Sequence, residues 1–254
     1  MPFMLSSPMA VLALKLLFSV LALAVGARLV MTNAALSSEP GIRGLAGVLA
    51  GTFVGAKLGF LLQYPGVLLS DGAGWLLPFS GHSLPGAVIG GWIGLRLVAG
   101  IAERAMADAL IPGAIATLFI YLLGATFWSL TEPGFGTPAP VWGVDFGDGV
   151  KRHPVALYGA LTLLPLLWGA RWLSSWKLAD GIASSVLGCT WFGATMLLGF
   201  LQPPFGAVLL LEQIHPRPAL YPPGLSGEQW LCLFGVLVLA VRVWRAQRAA
   251  LLSP

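Results

Sequence analysis

The chain has 254 residues, 57% of them hydrophobic and 9% charged, where soluble domains carry about 45–50% and about 25%, so a water-soluble globule is excluded. With 10 Trp and 13 Phe it also has far more apolar surface than a disordered chain. Its net charge of +4 is gathered into no basic run that could neutralise a row of phosphates, so nucleic acid is not an expected partner.

What composition leaves is a single all-α integral membrane domain over residues 1–254. A hydrocarbon core of about 30 Å takes roughly 20 helical residues. Hydropathy then places seven transmembrane helices near 9–30, 44–67, 84–102, 108–130, 154–174, 181–201 and 229–247. The first lacks the positive n-region of a secretory signal and is interrupted by Lys15, so it is read as a retained span; cleavage near Gly26 and Ala27 is the alternative. In the second, Gly47, Gly51, Gly55 and Gly59 recur at four-residue spacing, as do Gly86, Gly90 and Gly94 in the third. Small residues one turn apart let helix backbones approach closely in lipid, and the expectation is a packing stripe. Lys57 lies in the outer half of the second span, opposite that stripe. A charge inside a span is a functional candidate, and snorkelling to the surface is the other reading.

His82 precedes the third span by two residues and titrates in the range a proton acceptor needs. Pro85 and Pro112 are placed near helix starts, where a missing N–H costs little, and Pro165 is expected to kink the fifth span. Cys189 and Cys232 fall in apolar stretches with no spacing suited to a metal, and they read as packing residues. Neither a metal nor a cofactor is expected.

Lys and Arg sort by side. Arg28, Arg43, Arg96, Arg104, Arg171, Lys177, Arg242, Arg245 and Arg248 fall at one set of loops and the C-terminus, while Lys151, Arg152 and Arg217 fall on the other. The positive-inside rule puts the richer side in the cytoplasm and the N-terminus outside. The two longer connections, 131–153 and 202–228, are then both external. Trp142, Phe146, Tyr221 and Trp230 suit segments lying at the interface, and His215, Arg217 and four nearby prolines suit a rigid surface segment. Glu132 and Glu212 are isolated acids.

The densest polar grouping is Asp145, Asp148, Lys151, Arg152 and His153, followed by Pro154 and Tyr158. With Pro154 opening the fifth helix, Arg152 and His153 would stand at a helix N-terminus on the outer surface. Backbone N–H groups, an Arg fork and a His donor there suit a phosphodiester headgroup. The competing reading is that Lys151 and Arg152 snorkel to headgroups.

The order of motifs resembles the bacterial prolipoprotein diacylglyceryl transferase family. Gly-Ala-Lys-Leu-Gly-Phe at 55–60 is similar to the family's G-A-R-L-G-Y. Gly136, Pro138 and Trp142-Gly143-Val144, followed by Arg-His-Pro-Val-Ala-Leu-Tyr at 152–158, resemble Y-G-x-P…W-G-V…R-H-P-S-Q-L-Y. Leu-Pro-Gly-Ala-Val-Ile-Gly at 84–90 echoes F-H-G-G-L-I-G, and Gly-Leu-Ser-Gly-Glu-Gln at 224–229 resembles G-L-S-x-G-Q. The resemblance runs from the second span to the C-terminus. It implies a seven-span enzyme of the bacterial plasma (inner) membrane with its site at the outer leaflet. Its partners would be phosphatidylglycerol, or a similar anionic phospholipid, and a prolipoprotein signal peptide with a lipobox cysteine. Diacylglyceryl would pass to the cysteine thiol and glycerol phosphate would leave. In the roles this implies, Arg152 and Lys57 meet the phosphate, His153 or His82 takes the thiol proton, and Tyr158, Gly136 and Trp142 shape the substrate site. The sequence departs from the family at Pro85, Ala125 and Gln202, which stand where the family has His, Arg and Arg. A catalytically impaired paralogue that binds phospholipid or lipoprotein is therefore the alternative. A small flippase or transporter is a third reading, weakened by the lack of paired intramembrane charges.

Overall fold

The computed structural model describes residues 8–32, 38–65, 82–100, 103–128, 136–145, 149–176, 178–202 and 220–252. Phe146, Asp148, Glu132, Glu212, His215, Arg217 and Lys177 lie outside the described residues. The protein is all-helical apart from two small hairpins, with helices α1 (Pro8–Met31), α2 (Glu39–Gln63), α3 (Leu84–Ala99), α4 (Glu103–Trp128), α5 (Val155–Ser174), α6 (Ile182–Gly199) and α7 (Gly227–Leu252). One hairpin pairs β1 (Val144–Asp145) with β2 (Lys151–Arg152), the other β3 (Leu220–Tyr221) with β4 (Leu225–Ser226), both antiparallel. Five helices, α2, α4, α5, α6 and α7, are long and apolar enough to cross a membrane, and shorter apolar helices run over Leu16–Met31 and Leu84–Ala99. The protein is thus a helical membrane protein.

Local chemistry sets the helix ends, and it moves several of them from where hydropathy puts them. α2 starts at Glu39 rather than 44 because the Ser38 side chain accepts from Gly41 N at 3.3 Å, with a proline in the first turn. α3 is opened the same way by Ser83, which accepts from Gly86 N at 3.2 Å, and it stops at Ala99, where Gly100 takes φ 56°. α4 begins at Glu103, not 108, so Pro112 lies inside the helix rather than near its start. Hydropathy discounts Glu103 and Arg104, yet both are helical, and the Glu103 charge is answered by Arg96 of α3 and Arg242 of α7. Pro154 is the N-cap of α5, one residue outside the first helical position expected for it. α7 opens with a capping box: Gln229 N donates to Ser226 Oγ at 3.2 Å and Ser226 N donates to Gln229 Oε1 at 2.9 Å. The Gln229 amide also donates to Met196 O at 3.4 Å, which ties α6 to α7.

The two glycine stripes face each other along the antiparallel α2–α3 seam, as the packing reading expects. A Cβ on Gly47 would stand 2.7 Å from Gly94 O, and one on Gly90 would stand 2.7 Å from Gly55 Cα. A larger core lies among α4, α5, α6 and α7, formed by Ile115, Leu163, Leu166, Ala170, Leu187, Trp191, Phe192 and Cys232. Cys232 is buried there and Cys189 Sγ lies 3.5 Å from Val236 O, so both cysteines are free thiols used in packing. Leu97, Trp168, Leu197 and Leu237 are among many large apolar side chains left exposed, the surface expected of helices that face lipid.

Two ends can now be distinguished. Arg28, Arg43, Arg96, Arg104, Arg171, Arg242, Arg245 and Arg248 mark one; the hairpins, with Lys151 and Arg152, mark the other. At the arginine-rich end Glu103, 1% exposed, accepts from Arg242 Nη1 at 2.9 Å and Nη2 at 3.2 Å, from Trp92 Nε1 at 2.8 Å and from Arg96 Nη1 at 3.5 Å. Asp108 accepts from Gly181 N at 2.7 Å and Ser184 N at 2.8 Å, completing the first turn of α6. Gly181 has φ 84°, and a Cβ there would stand 2.7 Å from Arg242 Nη2. These contacts lock α3, α4, α6 and α7 together.

Candidate functional site at the hairpin end

The segment 136–139 lies along 151–153 as a short ladder. Gly136 N donates to His153 O at 2.7 Å, His153 N to Thr137 O at 3.1 Å, and Ala139 N to Lys151 O at 2.8 Å. Pro138 bridges Arg152, and the β1–β2 register pairs Val144 with Arg152 and Asp145 with Lys151. Thr137 N also donates to Leu201 O at 2.7 Å, which fastens the ladder to the end of α6. Gly136 is demanded by this crowding. A Cβ on it would meet Leu201 O at 2.5 Å and His153 Cβ at 2.8 Å. The turn between β1 and β2 includes Gly149, at φ 77°, whose N–H donates to the Asp145 carboxylate at 3.1 Å.

This cap delivers Arg152 and His153 to the start of α5. His153 Nδ1 stands 3.3 Å from the Tyr158 hydroxyl, one turn into the helix, with the rings edge-on at 5.9 Å. Arg152, His153 and Tyr158 are all half-buried. Trp142 is 80% exposed at the hairpin surface, a position suited to the membrane interface.

His82 joins a second imidazole–phenol pair, hydrogen-bonded through Nε2 to the Tyr121 hydroxyl of α4, with ring centroids 5.6 Å apart. The next residue, Ser83, is 1% exposed and donates its N–H to Ala56 O at 3.1 Å, so the backbone beside Lys57 adjoins this pair. The helices that carry Tyr121 and Tyr158 pack together. Leu122, adjacent to Tyr121, lies 3.2 Å from where a Cβ on Gly159, adjacent to Tyr158, would be. Each imidazole is held by its own phenol, and in neutral form each has one nitrogen to accept a proton.

The three departures from the family pattern occupy defined places. Pro85 is buried in the first turn of α3, Ala125 lies one turn along α4 from Tyr121, and Gln202 follows the Leu201 that holds the 136–139 ladder. None of the three brings a cation.

Sequence reasoning missed the carboxylates. Glu103 and Asp108 read as a cytoplasmic loop and the start of a span. The Ser226-x-x-Gln229 spacing is a legible capping signal that would have placed the α7 start correctly. Among the described residues no group of three or more His, Cys, Asp or Glu side chains is gathered as a metal site would require. No protein-family model matches the chain, and no curated protein sequence matches it.

Proposed function

We propose that the chain is a seven-span protein of the bacterial plasma membrane, N-terminus outside and C-terminus cytoplasmic, that binds an anionic phospholipid such as phosphatidylglycerol at the outer leaflet and transfers its diacylglyceryl group to a lipobox cysteine thiol. The observation that carries this reading is the cap formed by 136–139 and 151–153, which seats Arg152 and His153 at the α5 N-terminus with Tyr158 against the imidazole. Helix N–H groups, a guanidinium and an imidazole suit a phosphodiester, and the short motifs shared with the diacylglyceryl transferases point to the same headgroup.

In this reaction Arg152 and Lys57 neutralise the phosphate. His153 or His82 accepts the thiol proton, since a thiol of pKa about 8.5 is only a few per cent thiolate at neutral pH. The thiolate attacks the diacylglyceryl methylene, the C–S bond forms as the C–O bond breaks, and glycerol phosphate leaves with the bonding pair.

Pro85, Ala125 and Gln202 favour a second reading, a paralogue that binds phospholipid or lipoprotein without transfer. Purified protein in nanodiscs, phosphatidylglycerol and a lipobox peptide separate the two. Transfer predicts a diacylglyceryl mass gain on the peptide cysteine that disappears in Arg152→Ala and His153→Ala. An unmodified peptide with phosphatidylglycerol still bound would reject transfer and leave the binding paralogue.

A further inference from the structure

At the arginine-rich end, a cavity of about 390 Å³ opens where the start of α2 meets the last turn of α3 and the first turn of α4. Its volume falls in the range of small-ligand sites, about 300–1,000 Å³. Pro40, Val98, Ala99 and Met106 give it apolar walls, and Glu39 and Arg43 are the charged residues of its lining. The transfer reading uses none of them.

Glu39 and Arg43 stand one helical turn apart, and Arg43 Nη2 donates to Glu39 Oε1 at 2.6 Å. That contact engages one of the guanidinium's five donors and one of the two carboxylate oxygens. The side chains are 77% and 72% exposed, and an exposed pair of this kind holds together only weakly, so little opposes its parting to admit a ligand. Arg96, in the last turn of α3, is drawn elsewhere, to Glu103 Oε2 at 3.5 Å and Gly100 O at 3.4 Å. The C-terminal end of α3 reaches the cavity through Val98 and Ala99, and a helix C-terminus carries negative partial charge. The lining therefore offers a cation beside an anion, with the negative side reinforced. A purely anionic headgroup would meet like charge at Glu39.

Depth identifies the medium. α2 has 25 residues, about 37 Å at 1.5 Å per residue, against a hydrocarbon core of about 30 Å, so its end turns lie among lipid headgroups. We propose that this cavity seats the headgroup of a zwitterionic phospholipid, phosphatidylethanolamine, with its phosphate on Arg43 and its ammonium on Glu39. Leu97 and Val98 are 80% and 50% exposed along α3, a surface on which the acyl chains can lie. The site is at the opposite end from the hairpin cap and stands apart from the transfer reaction.

Native mass spectrometry of the full chain in detergent tests it, with phosphatidylethanolamine and phosphatidylcholine as probes. Phosphatidylcholine keeps both charges but lacks N–H donors for the carboxylate. Wild-type protein should retain phosphatidylethanolamine about tenfold better, the scale of one charge-assisted hydrogen bond. Glu39→Gln should erase that preference, and Arg43→Gln should lower retention of both lipids by about tenfold. Both side chains are exposed, so both variants should melt close to wild type. Arg171→Gln, at the same end but outside the cavity, should change nothing. Arg152→Ala, which strips the cation from the hairpin cap, should keep the preference, so this site and the transfer reading fail separately. Equal retention of the two lipids by wild type, an undiminished preference in Glu39→Gln, or a loss in Arg171→Gln as large as in Arg43→Gln would overturn the proposal.

Discussion

Glu103 shows what one buried charge does in this molecule. Its side chain is 2% exposed and meets a guanidinium that is 17% exposed, while Arg96, at 57%, stands mostly in the open. The partners divide accordingly: Arg242 makes the two-point contact, and Arg96 adds a long, screened one. Glu103→Ala would leave Arg242 and the Trp92 N–H without their acceptor, at a cost of about 3–5 kcal/mol by analogy with broken buried pairs. The expected outcome is a clear fall in melting temperature in detergent. Replacing both partners with Met should recover part of the loss, because no uncompensated charge remains; a double variant as unstable as Glu103→Ala would reject the pairing account. At this scale the sequence was legible for Arg152, His153 and Tyr158, which are close in the chain and are brought together by the start of one helix. It was not legible for Glu103, whose partner Arg242 lies 139 residues away, or for Asp108, whose donors Gly181 N and Ser184 N lie more than seventy residues on.

Among the helices, the α2–α3 seam is the contact most fully written in the sequence. Four-residue glycine spacing on two neighbouring spans implies two flat faces, and the folded chain lays them together with backbone against backbone. A methyl group has no room there. Gly90→Ala would set a Cβ 2.7 Å from Gly55 Cα, whereas a Cβ on Gly193 of α6 meets nothing within 4 Å. Gly90→Ala should destabilise by at least about 1–3 kcal/mol, the usual range for overpacking, and Gly193→Ala should melt like wild type. Thermal melting of the two variants side by side decides it, and equal melting would mean the seam is not close-packed. Helix boundaries were less legible. Hydropathy registers the apolar interior of a span, but Ser38, Ser83 and the Ser226–Gln229 pair set the ends through hydrogen bonds that a hydropathy average does not register.

Across the whole molecule, the cationic side chains are divided between the ends, with eight arginines at one and Lys151 and Arg152 at the other among the described residues. If the arginine-rich end is cytoplasmic, Val150→Cys in the hairpin should react with a membrane-impermeant maleimide in intact cells, and Gln247→Cys on α7 only after permeabilisation. The opposite pattern would invert the proposed orientation. The sequence by itself determined the helical membrane class, the approximate places of the helices, the glycine faces and the closeness of Arg152, His153 and Tyr158, because composition, periodicity and short spacing are local properties of a chain. Only the tertiary structure decided which phenol His82 meets, why Gly136 must be a glycine, and where Glu103 and Asp108 find their partners. Those outcomes depend on which helices become neighbours, and neighbours in space are chosen by packing over the whole bundle rather than by any one segment.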